Sequence, residues 1–505
     1  MTRSLRQSTV GLHTWSGLVI GWLLFAMTLT GTAAVFSSEI SAWMQPEIAG
    51  RGEPRQAIEK AVAWLRQTQP QARGWFLASD ERTATVHALY EDRTAPRGYR
   101  TASFDATTDT PVARATMGGQ FFYRFHFELM LPNPWGRILA SAAAMVMLIA
   151  IISGIIIHKR IFADFFTLRP AGSQRGWLDA HNVFGVLALP FHLMITFTGI
   201  VPLFKTTLPW GIVANYGANN ATALAEFYPS LARRAPTGTP GVLADIGPML
   251  VEAERYFGGG RIGRVNIAHP GDAGSFVTIM RNDGDQLAYM AQAVSFDGTT
   301  GKLIGAHTED RPARKTFDVL YGLHIARFAP EVSRWLYFVC GLALAGVIAT
   351  GLNLWLKARE PNKGFGHWLV ARTNAGTVVG LPIAMLGFLW ANRLLPAADA
   401  ERSAAEISIF FWLWAACFLY ALLRAPRRAW GELAIVAALA AGLLPFVSFA
   451  LTGRGLWQAA MKGDWLFLGF DLVLFALAAL GAVIAHKAFA AGGPVRLPRK
   501  QGAPA

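Results

Sequence analysis

Residues 13–31 read HTWSGLVIGWLLFAMTLTG, and residues 181–199 read HNVFGVLALPFHLMITFTG. Each stretch opens on a histidine (His13, His181), places a glycine four positions later (Gly17, Gly185), runs apolar, and closes on Thr30-Gly31 or Thr198-Gly199 at the same internal spacing. A second pair follows the same rule. Tyr123-x-x-His126 and Arg137 lead into an apolar segment carrying Gly154, while Tyr321-x-x-His324, Pro330 and Arg334 lead into one carrying Gly351. Arginine and glycine are equally spaced in the two copies. Such self-similarity marks a duplicated unit.

The composition says what is duplicated. Of 505 residues, 53% are hydrophobic and 15% charged, and the apolar ones gather into long runs rather than recurring periodically. Eight runs approach the length needed to cross a hydrocarbon core of about 30 Å. They are residues 17–36, 138–157, 183–204, 335–356, 376–395, 407–423, 433–451 and 466–485. The expected fold is an α-helical polytopic membrane protein of about eight transmembrane helices, with an internal two-fold repeat over the first four. Arg3 and Arg6 before the first run and Thr32-Ala33-Ala34 after it resemble a signal peptide. That run is longer than the roughly 7–15 residues of a signal core, and its motif recurs deep in the chain.

The net charge of +14 follows topology better than it suggests nucleic acid, which is not expected as a partner. Arg3 and Arg6, then Lys159, Arg160, Arg169 and Arg175, then Lys357, Arg359, Lys363 and Arg372, then Arg424, Arg427 and Arg428, and finally Lys487, Arg496, Arg499 and Lys500 fall on one side of an eight-span chain. The loop 396–406 on the other side carries Asp399, Glu401 and Glu406 against Arg402. By the positive-inside rule both termini are cytoplasmic, in a bacterial inner membrane and its lipid. The organisation expected is then a cytoplasmic start and first helix (1–36), a periplasmic segment (37–137), a second helix (138–157), a cytoplasmic loop (158–182) and a third helix (183–204). A second periplasmic segment (205–334), a fourth helix (335–356), a cytoplasmic loop (357–375), a four-helix extension (376–488) and a cytoplasmic tail (489–505) complete it.

Two neutral imidazoles on facing backbones are what a heme iron takes as axial ligands. His13 and His181 begin the first and third runs at one membrane edge, and His126 and His324 precede the second and fourth at the other. If equivalent residues face one another across an axis along the membrane normal, one heme sits between His13 and His181 and another between His126 and His324. The two cysteines, Cys340 and Cys417, both lie in apolar runs, and no C-x-x-C-H attachment motif exists, so two non-covalent hemes b are expected. The other reading of edge histidines is that they sit among interfacial aromatics.

His192 breaks the repeat, its counterpart being Leu24. Eleven residues after His181, it would project from nearly the same helix face, and it is a candidate ligand or neighbour of a heme. His158 is read as interfacial, or as a contact for heme propionates. Arg6 on one side, and Arg124, Arg137, Arg327 and Arg334 on the other, are placed to meet propionates; snorkelling arginines suit the same positions. There is no G-x-G-x-x-G after a strand, no P-loop and no flavin domain, so no nicotinamide or flavin site is expected.

The polar segments read as α+β. A helix at 54–68 precedes strands near 74–79, 84–90 and 99–104. A second helix at 241–257 precedes strands near 262–268, 275–281, 287–296 and 302–306, with Asp297-Gly298-Thr299-Thr300-Gly301 as a turn. The ending FDGTTGKLIG (296–305) resembles the PepSY domain. RFHFEL (124–129), HKRIFADFFTLRP (158–170), WLDAHNVFGVLALPFHLMITFTG (177–199), YGLHIARFAPEVSRWLYF (321–338) and ANRLLP (391–396) resemble the PepSY-associated transmembrane family, also described as iron-regulated membrane proteins.

The resemblance implies two periplasmic PepSY-like domains and an inner-membrane ferrisiderophore reductase of the FoxB type, with two b hemes between four core helices and a ferric siderophore as substrate. The electron donor would be a quinol or a separate cytoplasmic reductase. The four helices after residue 372 depart from the shortest members. Two other readings stay open: a siderophore or iron-related permease, for which Asp471 is the main ionisable candidate, and a PepSY-based sensor or inhibitor on a passive anchor.

Overall fold

The computed structural model describes residues 5–48, 52–80, 82–92, 98–158, 174–217, 220–227, 234–359 and 364–490. Arg3, Lys159, Arg160, Arg169, Lys363, Arg496, Arg499 and Lys500, on which part of the charge reading rests, lie outside the described residues, as does most of the 158–170 string. So does the side chain of Arg6.

Among the described residues, eight helices are long and apolar enough to cross a membrane: Gln7–Ala34, Trp135–Ile157, Leu189–Thr207, Glu331–Ala358, Phe365–Leu394, Arg402–Leu423, Pro426–Thr452 and Trp465–Ala490. We call them spans one to eight. Two runs are interrupted where one continuous helix is expected. The third run is not one helix, because a helix Gln174–Leu187 stops and span three begins at Leu189. Ala188 sits between them at φ −118° and ψ 25°. Pro190 lacks the N–H that would continue the ladder, and its ring crowds the preceding turn, so the helix breaks there. The fifth span starts well before residue 376 and is interrupted at Val379. The chain divides into two compact units, Met1–Trp355 with Leu395–Ser403, and Leu356–Leu394 with Ala404–Ala505.

In the first unit, both polar segments contribute to one sheet. Its seven strands are β1 (Gly74–Ser79), β2 (Val86–Glu91), β3 (Tyr99–Phe104), β4 (Ile262–Ala268), β5 (Phe276–Arg281), β6 (Gln292–Asp297) and β7 (Leu303–Thr308). They lie in the order β3-β2-β1-β4-β5-β6-β7. The join is the antiparallel pair β1 and β4, with Trp75 opposite Ile267 and Leu77 opposite Val265. Residues 287–291, read as strand, instead form the connection into β6.

The period-two pattern sends Trp75, Leu77, Val86, Ala88, Val265 and Ile267 to one face. There they meet helix α1 (Pro54–Thr68) through Ile58, Val62 and Leu65, and helix α3 (Ile246–Tyr256) through Met249, Leu250 and Ala253, in one continuous core. Helices α2 (Gln120–Glu128) and α4 (Pro312–Ile325) connect this domain to spans two and four. The turn at Asp297 has a partner in the first segment. Asp297 accepts from the N–H and hydroxyl groups of Thr299 and Thr300, and Asp105 does the same with Thr107 and Thr108. FDATT (104–108) thus repeats FDGTT (296–300), a likeness the sequence reading passed over.

The second unit contains an intramembrane polar cluster. Asn392 donates to Glu406 at 2.9 Å, and Arg393 donates to Ser448 at 2.9 Å and to Asn392 at 2.7 Å. Asp471 is buried with one carboxyl oxygen lacking a hydrogen-bond partner. Glu406, read above as part of an acidic loop, is therefore a buried helical residue.

Ile267→Ala tests the shared core. Removing a buried branched side chain at the β1–β4 join should lower stability by about 2–5 kcal/mol. Limited proteolysis should then cut both polar segments in one step; cleavage confined to one would contradict a single sheet.

Candidate functional site: two facing histidine pairs

The four motif histidines come together in two pairs, both in the first unit. The rings of His13 and His181 have centroids 6.3 Å apart at an interplanar angle of 75°. Those of His126 and His324 are 5.9 Å apart at 24°. The latter pair lies on α2 and α4, on the side of the sheet domain. Each of these helices ends just past its histidine on a left-handed residue, Leu129 at φ 53° and Ala326 at φ 55°, which turns the chain toward the next span.

Every histidine sits in the same kind of socket on a neighbouring helix. His13 Nδ1 donates to the Ala150 carbonyl at 2.9 Å, His181 Nδ1 to Val347 at 2.9 Å, His126 Nδ1 to Met27 at 2.7 Å and His324 Nδ1 to Ile195 at 3.0 Å. In each case the carbonyl lies four residues before a glycine, and a Ser or Thr precedes that glycine: Ser153-Gly154, Thr350-Gly351, Thr30-Gly31 and Thr198-Gly199. The hydroxyls of Ser153, Thr350 and Thr198 also approach Nδ1, at 3.1, 3.2 and 3.3 Å.

The glycine is needed for close approach. A Cβ on Gly31 would lie 2.5 Å from His126 Nδ1, and one on Gly199 2.7 Å from His324 Cε1. At Gly154 and Gly351 the distances to His13 and His181 are 3.3 and 3.2 Å.

This socket fixes chemistry as well as position. A carbonyl can only accept, so Nδ1 carries the hydrogen and the lone pair is left on Nε2, the form that binds a metal. Burial also keeps the outer rings neutral. It holds His126 below the usual imidazole range, and with the neighbouring His126 it pushes His324 down to about 3. Spacing fits a shared metal too. An imidazole nitrogen reaches a metal at about 2.0 Å and lies roughly 1.1 Å from its own ring centre, so two trans ligands hold their centroids about 6 Å apart.

Room is present at the His126–His324 pair. A cavity of ≈ 300 Å³ opens beside His126 and His324, walled by Met27, Phe127, Met147, Ile195 and Leu344, with Tyr123 and Tyr321 among its lining residues. Beside the other pair, a Cβ on Gly17 would meet nothing within 4 Å and one on Gly185 only Val347 at 4.0 Å. The residues at His126 and His324 therefore fit a flat macrocycle that both imidazoles would hold, while at His13 and His181 the tautomer and the ring spacing fit one.

Other candidates are placed differently. His192 is buried in span three, where its ring lies against the backbone of Gly185 and Cys340, and its Nε2 has no hydrogen-bond partner. It does not line the His126–His324 cavity. The helix break at Ala188 removes the continuous face that would have stacked it over His181.

The arginines are engaged with carboxylates. Arg124 pairs with Glu128 at 2.8 Å and Arg327 with Asp283 at 3.3 Å. Arg334 is buried between Glu39 and Glu331 and donates to the Val35 carbonyl. Arg137 also pairs with Glu128, yet it lines the cavity and so is the nearest cation to anything held there. His158 is half-buried at the end of span two.

Residues 10–358, which contain all four sockets, match the family model described as the PepSY-associated TM region. The chain belongs to this family. It is also similar to an uncharacterized protein of Pseudomonas aeruginosa, 26% identical over 403 residues, a match covering 75% of this chain and 96% of that one.

Gly31→Ala should move the His126 ring, costing about 1–3 kcal/mol as an overpacked site. Gly469 lies in span eight with nothing within 4 Å of its Cβ position, so Gly469→Ala should be neutral or stabilising by up to about 1 kcal/mol. Thermal unfolding in detergent measures both. Equal effects at the two positions would show that the socket is not close-packed.

Proposed function

We propose that the protein is an inner-membrane di-heme b oxidoreductase that takes electrons from a quinol or a cytoplasmic reductase and reduces a periplasmic ferric siderophore. What carries this reading is the recurrence of one socket under four histidines that face each other as two pairs at ligand spacing. His13 and His181 would hold one heme and His126 and His324 the other, with the duplicated halves related by an axis along the membrane normal. When bound, heme supplies a reversible one-electron iron couple in an apolar setting.

The chain's own residues perform the rest. The carbonyl bonds hold each imidazole in one tautomer and orientation. The glycines admit a flat group against the helix backbone, and the apolar walls exclude water. Oxygen donors bind hard Fe(III) more tightly than Fe(II), so reduction releases iron without breaking the carrier, and no general acid or base is required. The sheet domain, built from PepSY-like halves, would face the periplasm and carry the docking surface.

A second reading is favoured by a different observation. The buried Arg393, Glu406 and Asp471 in the second unit, with Asn392 and Ser448 as polar partners, are the kind of intramembrane ionisable groups that a permease needs. The histidine sockets have no role in that reading.

Purified protein should be red, with two hemes per chain and the absorption of six-coordinate b heme after dithionite. His126→Ala and His324→Ala should each remove one heme, His13→Ala and His181→Ala the other, and His192→Ala neither. A colourless protein after heme-supplemented expression would overturn the oxidoreductase in favour of the permease.

A further inference from the structure

The tyrosines of the two Tyr-x-x-His motifs are not used by the reading above. Tyr123 and Tyr321 stand about one helical turn before His126 and His324 and line the same cavity. They are also met from outside the membrane helices. Tyr289, on the connection between β5 and β6, lies with its ring centroid 4.2 Å from that of Tyr321, closer than most aromatic pairs.

The connection is pinned over α4. The Tyr289 N–H donates to the Asp318 carbonyl at 3.0 Å, and the Leu287 carbonyl sits where a Cβ on Gly322 would be. Cations fix the rings. Arg264 lies 5.0 Å over Tyr289 and donates to its hydroxyl at 3.1 Å, and Arg327 lies 5.9 Å from the Tyr123 ring. Both arginines are held by Asp283. The rest of the connection, residues 284–290, is half-exposed.

We infer that Tyr321 and Tyr289 form the bridge by which an electron leaves the His126–His324 site, and that the acceptor, a ferric chelate, takes it while docked on residues 284–288 beside Tyr289. The inference rests on the oxidoreductase reading. Electron tunnelling weakens steeply across empty gaps and much less across touching π systems, and Tyr321 on the cavity wall touches Tyr289 on a half-exposed segment. One electron moves per event: the reductant loses it and ferric iron becomes ferrous. No bond to tyrosine forms or breaks. The phenols also stay protonated, because burial raises the pKa of Tyr289 and Tyr321. The tyrosines are positioning residues for transfer; they bind no iron.

The test uses the heme-loaded full chain, reduced with stoichiometric dithionite and mixed with ferric tris(acetohydroxamate), its reoxidation followed in the heme bands. Tyr289→Leu and Tyr321→Leu should lower the limiting rate about tenfold or more while the half-saturating concentration stays within about twofold. Tyr289→Phe should retain the wild-type rate within about twofold. Binding of the redox-inert gallium complex, measured by calorimetry, should be unchanged in all three, as should the heme spectrum, which also reports folding. Tyr289→Met provides a second probe with the same expectation as leucine.

An unchanged limiting rate in the leucine variants overturns the bridge. So does equal slowing by phenylalanine and leucine, or weaker gallium binding with the limiting rate intact, which would leave Tyr289 a docking contact only. Wild-type protein that holds no heme, or is not reoxidised, fails the earlier reading instead.

Discussion

One hydrogen bond, from an imidazole Nδ1–H to a backbone carbonyl on the neighbouring helix, recurs under all four motif histidines, and the membrane core is arranged around it. His13 ties span one to span two at one end, and His126 closes the same pair at the other. His181 and His324 do this for spans three and four. Interhelical bonds of this kind contribute only about 0.6–2 kcal/mol each in a membrane, so their larger effect is orientation. Each removes a ring's freedom to flip or change tautomer, and a glycine makes room for it. Each ring is then held in one tautomer and one orientation, and the four come together as two pairs.

Much of this could be read from residue spacing. An α-helix converts equal spacing into equal direction, so the matched spacings point to His13 with His181 and His126 with His324, the pairs that the fold brings together. The socket was half visible. Thr30-Gly31 and Thr198-Gly199 stood out, while Ser153 and Thr350 before Gly154 and Gly351 carried the same signal unnoticed. The carbonyl partners could not be read at all, since every residue has one.

Other features needed three dimensions or were misread. The union of β1 with β4 joins strands separated by two membrane spans, and nothing local in either strand specifies it. The break at Ala188 was local and legible from Pro190, but an apolar run with a helical period was carried through it, and His192 was placed on a face it does not share. Arg124 had its carboxylate in plain view at Glu128, an i,i+4 pair; Arg327 and Arg334 found theirs only through folding. Glu406, at the end of the expected loop 396–406, is a buried helical residue because its partner Asn392 lies on another helix, which local sequence does not reveal.

The two pairs differ in one respect that a spectrum can read. The rings of His126 and His324 are within 24° of parallel, whereas those of His13 and His181 are 75° apart. Parallel axial imidazoles split the iron orbitals with which both interact, and perpendicular ones leave them nearly equal, so low-spin ferric heme gives a rhombic resonance in the first case and a highly anisotropic one in the second. Low-temperature electron paramagnetic resonance of the oxidised protein should show one signal of each type, with the rhombic signal lost in His324→Ala and the anisotropic one in His181→Ala. Two signals of the same type, a high-spin ferric signal of equal weight to the low-spin ones, or no heme signal at all would contradict the account.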